Sequence, residues 1–332
     1  MGKTPGNPRI LVAPLDWGLG HTTRCIPLIR ELIALGSDVW LAAEAATAVI
    51  LQNEFPELNL LRLPGYHIRY AGSGKGFKWK MLRQVPKIRS AIALENKWLK
   101  KQIDLYDFDA VISDNRFGLY TTDRRCIFIT HQLSIKGPFG KWSEWVLRQW
   151  NYKNINRFAE CWVPDLPGDI NIAGELSHVI KKPSIPLRYI GILSRFSKGD
   201  VQEKKGYIVI VLSGPEPQRS ILENKLIDQL IYYKGTADVI RGLPHSDMIL
   251  PSTNQIRFFN HLPADELNKK MAAAELVISR TGYSTVMDLL QLQKKSILIP
   301  TPGQTEQEYL AGHLSKMSIA YCLTHHELKF IH

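Results

Sequence analysis

The feature that most limits what this chain can fold into is a rhythm, in which a short apolar run, a turn and a helix-like stretch recur through two separate halves. In the first half the runs are Arg9–Ala13, Asp38–Ala42, Asn59–Leu63, Asp109–Ser113 and Cys126–Thr130, with a helix from His21 to Leu35 closed by Gly36. Short apolar runs that end in polar or glycine turns and lead into helices make parallel βαβ units. The rhythm breaks at Pro183–Lys205, where prolines and glycines lead into Lys198-Gly199-Asp200 and Glu203-Lys204-Lys205, a linker composition. It then restarts with strands at Tyr207–Leu212, Ala237–Ile240, Gln255–Phe259, Glu275–Ser279 and Ser296–Pro300, and a helix at Gln218–Tyr232. The predicted organisation is α/β, with domains at 1–190 and 206–332 joined by a linker at 191–205. Two such halves about a hinge place a crevice at facing strand C-termini, where open α/β sheets bind ligands.

Composition agrees with two packed domains. The chain has 332 residues, 45% of them hydrophobic and 22% charged, enough for a core in each half and against disorder. Cys25, Cys126, Cys161 and Cys322 lie far apart, with no CxxC pair and no histidine cluster at zinc spacing. Reduced thiols in a cytoplasmic protein are expected. Met1–Arg9 is short and polar, and no apolar stretch is long enough to span a membrane.

The formal net charge of +11 favours anionic partners: nucleotide diphosphates, nucleic acid or acidic lipid headgroups. The charge is concentrated between Gly74 and Lys101, where nine lysines and arginines stand against the single acid Glu95. Phe77, Trp79, Met81, Leu82 and Trp98 are interleaved with them. Such a stretch is either a solvated helical face or a basic, aromatic face that rests on an anionic membrane. No nucleic-acid motif is present, and phosphate-binding loops account for part of the charge.

Several strand-to-helix turns carry the chemistry. After the first strand comes Pro14-Leu15-Asp16-Trp17-Gly18-Leu19-Gly20-His21. Gly18 and Gly20 permit a tight turn and close approach to a ligand, and the helix opens near His21 with free N–H groups. The positive end of that helix disfavours imidazolium, so His21 is expected as a neutral general base or, more plainly, as a polar helix-start residue. Asp114 and His131 follow later strands of the same half. Asp114 is read as an alternative base, as a partner orienting His21, or as a loop-capping acid.

In the second half, Ser279-Arg280-Thr281-Gly282-Tyr283-Ser284 brings N–H groups, hydroxyls and a guanidinium to one point, a cradle for a diphosphate. Asp288 lies one helical turn beyond Ser284 on the same face, placed to accept ribose hydroxyls. Ser213 and Gly214, at another strand end, could also meet phosphate. Gln304, Gln307 and Glu308 in Pro300–Tyr309 offer amides and carboxylates to sugar hydroxyls, or simply start a solvated helix.

These residues resemble GT-B glycosyltransferases, in particular the family 28-like group that includes the bacterial undecaprenyl-muramoyl-pentapeptide N-acetylglucosaminyltransferase. The resemblance rests on Ala273–Gly282, Thr285–Asp288 and Pro300–Ala311, with Gly18-Leu19-Gly20-His21 in the first half. It implies two Rossmann-like domains facing across a cleft, a UDP-sugar donor, inversion at the anomeric carbon, and no metal or other cofactor. It implies His21 near the acceptor and leaving phosphate, and Arg280, Thr281 and Gly282 as the phosphate loop. Asp288 stands where the family has a ribose-binding glutamate, and Gln307 and Glu308 where it has sugar-binding amides. The uracil is then read by backbone near Phe259–Leu262. Leu212–Glu216 departs from the family's glycine-rich turn, and the chain reaches His332 without the family's returning C-terminal helices. A hydroxyl acceptor, lipid-linked, and a place at the inner face of the cytoplasmic membrane complete the expectation. The rival readings are a UDP-sugar 2-epimerase of the same fold and a catalytically silent sugar-nucleotide-binding protein.

Overall fold

The computed structural model describes residues 6–16, 19–65, 77–137, 140–244, 246–325 and 327–328, with the backbone alone for 77–85. It divides into two compact units, with the boundary between Arg195 and Phe196.

The first unit runs β1 (Arg9–Pro14), α1 (Leu19–Ala34), β2 (Asp38–Ala43), α2 (Ala45–Glu54), β3 (Asn59–Arg62), α3 (Phe77–Tyr106), β4 (Ala110–Asp114), β5 (Arg125–Ile129), α4 (Lys141–Ile155), β6 (Glu160–Val163) and β7 (Leu187–Tyr189). All pairings are parallel, in the order β3-β2-β1-β4-β5-β6-β7. The period-two alternation of a strand divides the apolar residues between two faces. Ile10, Val12, Val39, Leu41 and Ile112 pack with Ile26 and Ile29 of α1 and Leu51 of α2. Leu11, Ala13, Trp40, Val111 and Phe128 pack on the other face with Leu99 of α3 and Ile155 of α4.

The second unit runs β8 (Lys204–Val211), α5 (Gln218–Leu230), β9 (Thr236–Ile240), β10 (Ile256–Phe259), α6 (Ala264–Ala273), β11 (Ala274–Ser279), α7 (Tyr283–Gln291), β12 (Ser296–Leu298), α8 (Thr305–Lys316) and β13 (Tyr321–Cys322). Its sheet is also parallel, in the order β10-β9-β8-β11-β12-β13. Ile208, Ile210 and Val239 pack with Leu222, Leu226 and Leu230 of α5. In both sheets the first strand is central and the chain reverses its direction of travel beside it. Each unit therefore has a topological switch point at its strand C-termini, between β1 and β4 or between β8 and β11.

The structure changes the sequence reading at the sheet edges. The Pro-rich stretch from 183 is not linker throughout, because Leu187–Tyr189 forms β7 on the edge of β6, with Cys161 N bonded to Pro186 O at 2.9 Å. An edge strand tolerates flanking prolines because only one of its sides needs donors. At the other end of that stretch, β8 already begins at Lys204.

The basic segment becomes α3, a helix of 30 residues. The one acid of 74–101, Glu95, is buried and takes Arg116 Nη1 at 2.8 Å and Gly118 N at 3.0 Å. Lys87, Arg89, Lys97, Lys100 and Lys101 point to solvent. Trp98 leaves the basic face, packs against the core and donates to Arg62 O at 3.1 Å. The side chains of Phe77, Trp79, Met81 and Leu82 lie outside the described residues.

Candidate functional site

At the first unit's switch point, Pro14 of β1 pairs with Asp114 of β4, so the start of α1 and the end of β4 meet. Arg116, just past β4, ties this corner together from a fully buried position. It donates to Pro14 O at 2.8 Å and to Pro64 O at 3.3 Å while pairing with Glu95. Gly18 lies outside the described residues, and Gly20 forms part of α1.

His21, partly exposed, places Nδ1 at 3.0 Å from Oδ1 of the fully buried Asp114. Arg24, one turn along the same helix, supplies Nε to Asp114 Oδ2 at 2.6 Å and Nη2 to Oδ1. The same Nη2 lies 2.9 Å from His21 Nδ1, and Nη1 lies 3.0 Å from Nδ1 of the buried His131. A guanidinium can only donate, so His131 Nδ1 accepts and that ring is neutral. Burial by itself would raise the Asp114 carboxyl. The Arg24 guanidinium and then His21 outweigh it and hold Asp114 well below the usual carboxylate range. The Cys25 thiol, 3.5 Å from Asp114 Oδ2, is pushed up by burial and by that carboxylate. His21, Asp114 and His131 are therefore brought together as one cluster, built around an arginine the sequence reading passed over. Arg24 was findable: it stands three residues after His21, on the same helical face.

At the second unit's switch point, Val211, Ser279 and Leu298 lie side by side in register. Ser213-Gly214, Thr281-Gly282 and Thr301, two or three residues past those positions, therefore stand in one row. Ser213 and Gly214 are exposed, and Gly214 has φ +102°, a conformation L side chains rarely adopt. A Cβ added there would sit 3.6 Å from Thr301 Oγ1, so hydroxyl and glycine turn are neighbours. Thr281 and Thr301 are almost fully buried, and neither hydroxyl oxygen has a hydrogen-bond partner among the described residues. Gly282 immediately precedes α7, whose first turn contains Ser284, with Asp288 one turn on. Both of these side chains are half-buried. Leu262 is buried, at the start of the loop into α6.

Arg280 differs from its expected orientation. Its side chain is almost fully buried and is turned into the protein, where it donates to Gln218 O at 2.6 Å, Pro300 O at 3.2 Å and Ile299 O at 3.4 Å, and contacts His325 Nε2. Burial lowers its pKa to about 10. Arg280 thus braces the loops around the row instead of presenting its charge to them. Gln307 and Glu308 also hold loop backbone. Gln307 Oε1 accepts Thr301 N at 2.9 Å and its Nε2 donates to Gln304 Oε1 at 2.6 Å, while Glu308 Oε1 accepts Gly303 N at 2.8 Å. The Thr301 hydroxyl was the residue missed here; its signal was its place directly after a strand, next to the loop those side chains cap.

Residues 246–331 match the family model for the glycosyltransferase family 28 C-terminal domain. Over 130 residues the chain is 44% identical to the UDP-N-acetylglucosamine–N-acetylmuramyl-(pentapeptide) pyrophosphoryl-undecaprenol N-acetylglucosamine transferase of Rhodopseudomonas palustris (strain HaA2), a match spanning 39% of this chain and 34% of that protein. The transferase of the same name from Methylobacterium sp. (strain 4-46) is 42% identical over 63 residues, 19% of this chain and 16% of its own.

Among solved structures, the glycotransferase of kitacinnamycin superposes with a TM-score of 0.65 at 14% identity, covering 96% of this chain and 87% of its own. A spinosyn rhamnosyltransferase complexed with thymidine diphosphate gives 0.63 at 14% identity, covering 95% and 86%. The fold is that of the GT-B class. Within that class the chain's similarity is to family 28, and the matched stretch, 246–331, lies in the second unit.

Proposed function

We propose that the chain is an inverting glycosyltransferase that moves a sugar from a UDP-sugar to a hydroxyl acceptor without a bound metal. The observation that carries this reading is His21, partly exposed at the first unit's switch point with Nδ1 beside a buried carboxylate at 3.0 Å. That arrangement suits a general base whose other nitrogen faces the reactant. His21 Nε2 takes the acceptor's proton as the hydroxyl oxygen bonds to the sugar C1. The C1–O bond to the diphosphate breaks in the same displacement, and its electron pair leaves on phosphate. Asp114 is a positioning residue on this reading, because both its oxygens are already engaged.

The second unit supplies the donor end. The Thr281 and Thr301 hydroxyls, without a partner among the described residues, the Gly214 turn with Ser213, and the positive N-terminal end of α7 after Gly282 would take the diphosphate charge. Ser284 and Asp288 reach toward ribose, and backbone at Leu262 toward the base. Gln304, Gln307 and Glu308 shape the sugar end through the loop they hold. The donor's identity is supported by the relatives' printed name, which specifies UDP-N-acetylglucosamine.

The acceptor is proposed to be lipid-linked and met at an anionic membrane surface. The exposed lysines of α3 support this, as do Trp142 and Trp145 on α4, exposed by 74% and 52%. Among the described residues no helix is long and apolar enough to cross a membrane. Binding to anionic vesicles at low salt, lost at high salt, is the expected result; no binding would remove the membrane from the proposal.

The deciding experiment follows UDP-sugars by NMR with and without candidate lipid acceptors, in the presence of a chelator. Transfer that needs acceptor and survives the chelator, lost in His21→Ala, is expected. Conversion of the UDP-sugar alone to its 2-epimer would replace this reading, as would binding with no turnover.

A further inference from the structure

We propose that Arg24 is a positioning residue that sets where the proton sits on His21. This rests on the reading of His21 as the base. A buried carboxylate facing an imidazole on its own stabilises imidazolium, and a protonated base cannot take a proton. In this protein the carboxylate is not on its own. Arg24 engages both oxygens of Asp114, with Nε at 2.6 Å from Oδ2 and Nη2 on Oδ1, so the negative charge is already matched. The same Nη2 stands 2.9 Å from His21 Nδ1, where a second positive charge would be repelled. His21 Nδ1 stands between the acceptor Asp114 Oδ1 at 3.0 Å and the donor Arg24 Nη2 at 2.9 Å and can serve only one of them. Because Nη2 already donates to Asp114 Oδ1, the Nδ1 proton is assigned to Asp114, which leaves Nε2 as the base.

Cys25 and His131, which also touch this cluster, add no competing charge. On α1 the Cys25 thiol stays protonated, because burial and Asp114 both push it up. After β5, His131 is neutral, because its Nδ1 accepts from Arg24 Nη1 at 3.0 Å. Arg24 thus joins α1, β4 and the β5 turn through one guanidinium, and the geometry makes it the counter-ion that lets a His–carboxylate pair work as a base.

The test is nitrogen-15 NMR of histidine-labelled protein, with the His21 signals assigned through His21→Gln. In the wild type the shifts should show the proton on Nδ1. In Arg24→Gln the titration midpoint of His21 should move up by about one pH unit, a tenfold change in protonation. The acid limb of kcat/KM should move with it. Arg24→Lys keeps a positive charge and should stay within a few tenths of a unit of wild type, approximately. In Asp114→Asn the midpoint should fall, because the guanidinium is then unopposed.

Opposite shifts in Arg24→Gln and Asp114→Asn are the signature, since a merely structural role would not reverse sign. Unmoved midpoints, shifts in the same direction, or a wild-type proton on Nε2 would overturn the proposal. If Arg24→Gln does not fold, Arg24→Met, which keeps the stem and removes the charge, takes its place with the same upward shift expected. Should His21→Ala transfer sugar at the wild-type rate, the base reading fails separately, while the NMR still reports whether Arg24 controls the ring.

Discussion

Replacing Arg280 with Met separates two roles that residue type alone leaves open, a brace for the loops or a hand on the donor phosphate. The buried guanidinium makes one short hydrogen bond, to Gln218 O at 2.6 Å, and two longer ones, to Pro300 O at 3.2 Å and Ile299 O at 3.4 Å, besides its contact with His325. Hydrogen bonds from a charged group contribute about 1.5–3 kcal/mol each when well formed, and the longer two less. Methionine fills similar space but leaves three carbonyls unpaired, so the gross loss is about 4 kcal/mol. Against this stands the cost of burying the cation, visible in a pKa drawn down to about 10. Relief of that cost offsets part of the loss, and a net destabilisation of about 2–3 kcal/mol follows. For a unit of this size that lowers Tm by roughly 6–10 °C. Calorimetry of the wild type and Arg280→Met reads the shift, and titration with UDP-sugar reads affinity below the new Tm. A brace predicts the thermal loss with a several-fold fall in affinity. A Tm within about 1 °C of wild type, with affinity down about a hundredfold, would refute the reasoning and return Arg280 to the phosphate.

Further expectations follow from the same row and the same acid. Thr281→Val and Thr301→Val each remove a buried hydroxyl with no partner among the described residues, so each should leave the ligand-free Tm unchanged or slightly higher, while donor affinity falls about tenfold. A lower Tm with unchanged affinity would show the hydroxyls to be structural. Asp114 is held below its unfolded value, so its stabilisation is complete above about pH 4 and is lost as pH falls toward its own lowered titration. Urea unfolding between about pH 5 and pH 2 should show that slope in the wild type, and a shallower one in Asp114→Asn. Glu95→Gln breaks a buried ion pair and should cost about 3–5 kcal/mol by urea unfolding; a loss under about 1 kcal/mol would show Arg116 finding another partner.

The central strands were readable because Arg9–Ala13, Asp109–Ser113, Tyr207–Leu212 and Glu275–Ser279 are apolar runs in their own right, bounded by turns. The edges were not. Glu160–Val163, Leu187–Tyr189 and Tyr321–Cys322 are short and part polar, and become strands because a neighbouring edge offers them hydrogen bonds. His21 and Asp114 were found by position, since each follows a strand that ends in a turn. Their pairing was among the expectations; the guanidinium that binds both was not, because Arg24 looked like one more helical residue and its three partners lie on α1, β4 and beyond β5. Arg280 shows the reverse case: an arginine beside a glycine turn reads as an anion ligand, and only the approach of Gln218, Pro300 and His325, distant in sequence, turns it inward.

The burial of Glu95 beneath the lysines of α3 has a consequence for how this protein can vary. One inward acid, clasped by Arg116, works as a locating pin that sets the roll of a long cylinder about its own axis. With the roll set from inside, the outward residues carry no responsibility for orientation. Lysines there can be gained, lost or traded for acids while the helix keeps its seat. The coat of charge and the scaffold beneath it are thereby independent variables, and the protein can be retuned toward a different surface without being refolded.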